Sequence, residues 1–201
     1  MADRGGRIAA AAAAHTGSSS RKCATVYQDI VRRPADAGPM FDAFYMHNKD
    51  MSSCGLLAVG ALRLAGCTEP ECVAPYFPHG GPERDAVADV QTLARRFGAW
   101  CSSSPPVPMF MAGDVWVIAD GAGCDAHVGV CTGDAVAAAD GSRTVATVEG
   151  GQFSGSDSSA IGSFTRTWRL AGNRWVLGAR YLVGFAQAAL MPVPDDAAPT
   201  T

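Results

Sequence analysis

The chain has 201 residues, of which 48% are hydrophobic, with a formal net charge of −3. That length suits one domain with a substantial core, and the composition is that of a folded globule rather than a disordered chain. No long basic block is present, which argues against a nucleic-acid footprint, and no apolar run approaches the roughly 18 residues of a membrane-spanning helix.

Residues 1–22 hold Arg4, Arg7, a run of alanines and then Ser and Gly. They read as a disordered low-complexity tail rather than a signal peptide, which would carry a longer apolar middle and a small-residue cleavage site. Residues 24–33 have weak helical spacing that Pro34 would end. A loop rich in Gly, Pro, aromatic and Met residues runs on to Asp50.

From Cys54 to Ala65 only Arg63 is charged, so this stretch predicts a helix buried nearly all round, capped by Ser52 or Ser53 and ended by Gly66. A second helix starts near Pro82 and stops at Gly98. Ala86, Val90, Leu93 and Phe97 form its apolar face, with Arg95 and Arg96 near its C-terminus.

After a Ser/Pro loop at 102–108 the period becomes two. Strands are predicted at 114–119, 126–132, 143–149, 161–170 and 174–185, with turn signals at Asp140-Gly141 and Gly172-Asn173. Helices first and antiparallel strands second predict an α+β arrangement, with N-terminal helices packed on a mostly antiparallel sheet of about five strands. The stretch 191–201 reads as a C-terminal tail, which leaves 23–190 as a single domain.

Three residues carry candidate chemistry. Cys54 heads a helix, where unpaired N–H groups and the dipole favour an anion; a thiol pKa of about 8.5 can fall there into roughly the 3.5–7.5 range. A buried, inert core cysteine is the competing reading. His127 begins a strand after a Gly-rich turn, and Gly129 leaves space beside its ring. A hairpin whose loop is centred near residue 138 places Glu149 across from His127 on the same face, and a slip of one residue would turn it away. Nucleophile, base and orienter together follow the logic of cysteine hydrolases. The backbone N–H of Cys54 and the side chain of Asn48 are candidate oxyanion donors.

Other residues are weaker candidates. His47 is a rival base, and His79 could line a cleft or simply sit in a surface loop. Arg166, Trp168 and Arg169 fit an alternating strand that needs no function, and Trp116 reads as core. The seven cysteines are Cys23, Cys54, Cys67, Cys72, Cys101, Cys124 and Cys131. Without a clear export signal they are expected to be reduced. Cys67, Cys72, His79 and Cys101 are spaced too loosely for a known zinc pattern, so no metal or other cofactor is expected.

Ser53-Cys54-Gly55-Leu-Leu, Gly113-Asp-Val-Trp-Val-Ile, His127-Val-Gly-Val and Val148-Glu-Gly-Gly, in that order, resemble the papain-fold cell-wall hydrolases of the NlpC-type and CHAP (cysteine, histidine-dependent amidohydrolase/peptidase) families. The resemblance spans about residues 45–152 and implies a papain-like fold. It implies Cys54 as nucleophile, His127 as base and Glu149 as a CHAP-like third member. Ser53 stands where NlpC-type enzymes commonly have Asp. A CHAP asparagine after the glutamate has no match, and Gln152 is the nearest substitute.

The implied activity is an amidase or endopeptidase acting on peptidoglycan peptides. The enzyme would be a housekeeping protein, a phage-type lysin or an effector exported by a non-classical route, with an inhibitor or immunity protein as a further partner class. The alternatives are a non-catalytic binding module on the same scaffold and a thiol-dependent peptidase or acyltransferase with another substrate.

Overall fold

The computed structural model describes residues 3–19, 53–73, 86–102, 109–123, 125–151 and 160–195. Among these residues four helices precede the strands: α1 (Arg4–Ala13), α2 (Cys54–Leu64), α3 (Pro70–Val73) and α4 (Ala86–Arg96). Eight strands follow: β1 (Trp100–Ser102), β2 (Val115–Ala119), β3 (Asp125–Cys131), β4 (Val136–Ala137), β5 (Arg143–Gly150), β6 (Ile161–Ala171), β7 (Arg174–Leu177) and β8 (Arg180–Ala186). A 3-10 turn at Ala188–Leu190 ends the ordered succession.

This architecture corrects the expected fold class. Among the described residues the protein is mostly β, an antiparallel sheet of eight strands with four short helices, and not an α+β papain-like fold with about five strands. The five expected strands are all present. The stretch 174–185, however, breaks at Gly178, whose φ of 62° reverses the chain and makes two strands of one. Two further strands, β1 and β4, are too short to leave a periodic signal.

The sheet runs β1-β8-β2-β3-β5-β6-β7, and β7 pairs again with β8, so six strands close on themselves. One edge of β8 is shared out: Gly184–Ala186 pair with β1, while Arg180 and Tyr181 pair with β7. Alternation then sorts the side chains. Trp116, Ile118, Cys131, Val145, Trp168 and Leu182 fill the enclosed face. Val115, Val117, Val128, Val130 and Val148 point outward and meet the helices.

Helix α2 is the centre of the helical layer. Leu56, Leu57 and Leu62 are all buried, each stabilising by about 1.5–3 kcal/mol relative to exposure. Gly55 lets α4 approach, since a Cβ there would stand 2.8 Å from that of Ala86. The helix ends in a Schellman motif: Gly66, at φ 106°, donates to the Arg63 carbonyl, and Cys67 donates to that of Leu62. In α4, Ala86, Val90 and Leu93 are buried as the spacing predicts, but Phe97 is exposed, with the Arg96 guanidinium over its ring.

Residues 3–19 and 191–195, the described parts of the two segments read as tails, pack on the rest of the structure. Residues 4–13 form α1, capped by Asp3, whose carboxylate accepts from the Gly6 N–H at 2.6 Å. Gly5, Ile8, Ala9 and Ala12 lie on its buried face, and Gly5 sits directly against Gly113 in the turn before β2. Beyond it Gly17 donates to the Ile161 carbonyl, and Ile161 donates to that of Ser18. At the other end Met191 and Val193 are buried, and Asp195 pairs with Arg4 at 2.6 Å. The expected helix at 24–33 and the loop to Asp50 lie outside the described residues.

Candidate functional site

The β2–β3 hairpin places His127 opposite Ile118 and Gly129 opposite Trp116. His127 therefore shares the enclosed face with Trp116, and the two rings meet edge to face with centroids 5.5 Å apart. Gly129 makes this possible: a Cβ there would collide with the Trp116 indole and with Glu149 Cγ.

The β3–β5 ladder pairs Val130 with Val148 and Cys131 with Thr147. Continued by one residue, Glu149 falls opposite Gly129 rather than opposite His127. The register expected from the loop is thus displaced by two residues, and an even displacement keeps the face. Glu149 accordingly reaches His127 diagonally, accepting from its Nε2–H at 2.9 Å.

The start of α2 lies just beyond the end of that ladder. Gly150 has no side chain because Ser53 occupies the space: a Cβ would stand 2.5 Å from Ser53 Oγ and 2.6 Å from its carbonyl oxygen. Ser53 sits at the N-cap but makes no side-chain cap, and its tight packing is what the position uses, while Ser52, the other expected cap, lies outside the described residues. This contact seats Cys54, whose thiol is hydrogen-bonded to His127. Cys54, His127 and Glu149 are all buried.

Glu149 is held from every side. Its Oε1 accepts from Thr147 Oγ1 at 2.6 Å and from Arg166 Nε at 2.7 Å. Its Oε2 accepts from Arg166 Nη2 at 2.6 Å as well as from His127. Burial acts against the charged carboxylate, but the Arg166, His127 and Thr147 hydrogen bonds outweigh it and bring its pKa down to about 2. For His127, burial disfavours the imidazolium, and the hydrogen bonds to Cys54 and Glu149 more than compensate, so its pKa lies above the ordinary value.

The alternating pattern assigns Arg166 no function and does not single out Thr147, yet both hold Glu149. The signal was there in the alternation: Phe164, Arg166 and Trp168 share one face of β6, and a cation on a face with a buried Trp needs a partner. Phe164 lies over Gly162, and the Arg166 guanidinium stacks on its ring at 4.5 Å.

Asn48 and Gln152, the candidate substrate-positioning residues, lie outside the described residues, as do His47 and His79. Cys67 and Cys72 are hydrogen-bonded to each other beyond the C-terminus of α2. Cys101 is on β1, and among the described residues no group of three or more His, Cys, Asp or Glu is placed to hold a metal ion. Among those residues too, no helix is long and apolar enough to cross a membrane.

Asp114, in the Gly-Asp motif, is a structural carboxylate. It accepts from the Met111 and Ala188 N–H groups at 2.9 and 2.8 Å, and burial pushes its pKa up to about 6. No protein-family model, no curated protein and no solved structure matches the chain.

Proposed function

We propose that the protein is a cysteine hydrolase acting on amide bonds, with Cys54 as nucleophile, His127 as general base and acid, and Glu149 as the group that orients the ring. The observation that carries this reading is His127, hydrogen-bonded to the Cys54 thiol and, through Nε2, to the Glu149 carboxylate. With Nε2–H committed to Glu149, Nδ1 is the nitrogen that takes the thiol proton.

The chemistry follows in two halves. The thiolate attacks the carbonyl carbon, and the C=O electrons move to oxygen. N–H groups and the positive dipole end at the start of α2 favour that oxyanion. Collapse breaks the C–N bond as the imidazolium protonates the departing amine, leaving a thioester on Cys54. His127 then takes a proton from water, hydroxide adds to the thioester, and the carboxylic acid leaves as the thiol re-forms.

Peptidoglycan peptides are the proposed substrate class. The motifs that resemble NlpC-type and CHAP hydrolases support it: the Cys54, His127 and Glu149 segments, in the same order.

The test is a comparison of wild type and Cys54→Ala on purified muropeptides, with new amine termini read by mass spectrometry. Cleavage by wild type alone is the expected result. Identical product profiles from the two proteins would reject muropeptide hydrolysis and leave a binding module or a thiol enzyme with another substrate.

A further inference from the structure

We infer that Arg166 is a positioning residue for His127, acting through Glu149 as the fixed outer member of a Cys54–His127–Glu149–Arg166 relay. The inference rests on the hydrolase reading for its catalytic meaning, but the geometry is independent of it. Arg166 presents Nε and Nη2 to the two oxygens of one buried carboxylate, at 2.7 and 2.6 Å. Two parallel bonds from a planar fork fix both the position and the plane of the acceptor. The oxygen that receives Nη2 is the one that receives His127 Nε2–H, so the clamp sets where the imidazole can point.

The clamp also sets charge. The charged and titratable groups facing His127 and Glu149 are Cys54 from α2, Cys131 from β3 and Arg166 from β6. Arg166 offsets part of the carboxylate charge, so the Cys54–His127 pair beside it exchanges its proton against a weaker buried field. A carboxylate with no such partner would raise the basicity of the ring and hold it as imidazolium, already protonated when the thiol proton must be taken and a weaker acid towards the leaving amine. Phe164 supports the guanidinium from the other side at 4.5 Å, which holds the fork in one plane.

Arg166→Lys keeps the cation and loses the fork. In muropeptide hydrolysis, kcat should fall by about 10- to 100-fold, as for a displaced catalytic group, with KM within about twofold. Arg166→Met removes the cation, and the His127 titration midpoint, followed by NMR of the imidazole, should rise by about half a unit or more.

Arg166→Met risks unfolding because it strands Glu149, so a Glu149→Gln background supplies the decisive comparison. There Arg166→Met should lower kcat little beyond Glu149→Gln alone, because the carboxylate it positions is already gone. An undiminished loss in that background, or an unchanged His127 midpoint on Arg166→Met in the folded protein, would overturn the inference. Failure of wild type to hydrolyse muropeptides would reject the proposed function instead, and the NMR comparison would still decide the role of Arg166.

Discussion

Ser53 lies against the α-carbon of Gly150, and this contact joins the helix that carries the thiol to the strand that carries the carboxylate. The two residues belong to different layers, and only a glycine at 150 lets them touch. Gly150→Ala should push the start of α2 away from β5. Overpacking of this kind costs about 1–3 kcal/mol, read as a lower denaturation midpoint. Cleavage should fall more than stability does, because the thiol moves relative to His127. A variant with wild-type activity would show that the seat tolerates a shift.

His127 should titrate above its ordinary 6.5, because the hydrogen bonds to Cys54 and Glu149 outweigh burial. A raised folded-state value means that its stabilising contribution is fully present below the unfolded pKa and is lost as pH rises through the folded one. NMR of the ring should place the midpoint directly. Cys54→Ala and Glu149→Gln should each move it downward. A midpoint at or below 6.5 in wild type would count against the hydrogen-bonded pair.

Glu149 has the opposite sign. Its pKa of about 2 lies below the ordinary 4.5, so it stabilises the fold above 4.5 and that contribution is lost as pH falls through 2. The difference corresponds to about 3 kcal/mol. Denaturation midpoints measured between pH 6 and 2 should decline in wild type, and Glu149→Gln should flatten much of that decline. The same substitution should lower kcat by about 100-fold or more through loss of ring orientation.

Ile8 is fully buried in α1. Ile8→Ala should therefore cost about 2–5 kcal/mol in denaturant unfolding, the range for a core truncation. A solvated tail would lose almost nothing, so this one substitution decides whether the N-terminal helix is integral to the domain in solution.

The sheet was legible in the sequence wherever alternation ran for five residues or more. Strands at 114–119, 126–132, 143–149 and 161–170 are found within a residue or two of their expected bounds. The hairpin spacing puts Glu149 on the face it occupies although the register differs by two residues, because a displacement of two leaves the face unchanged. What was lost depends on long-range fit. Residues 4–13 look like low-complexity alanine until Gly5 meets Gly113. The fold class failed because closure of the sheet comes from β7–β8 and β2–β8 pairing, and the Gly178 turn that permits it sits inside an apparently continuous strand. Arg166 was visible as a charged residue in an apolar alternation, but its partner sits on the neighbouring strand, where no spacing rule reaches.

His127, Glu149 and Arg166 stand on β3, β5 and β6, antiparallel neighbours joined by short-range pairing, whereas Cys54 arrives from a helix far upstream. In folding terms the base, its orienter and the clamp can be assembled from local hairpins, with little loop entropy to overcome. The thiol meets them only when the helical layer docks on the finished sheet. Cleavage therefore reports the joining of two layers, and a chain with its sheet formed but its helices loosened would be largely structured and chemically unarmed.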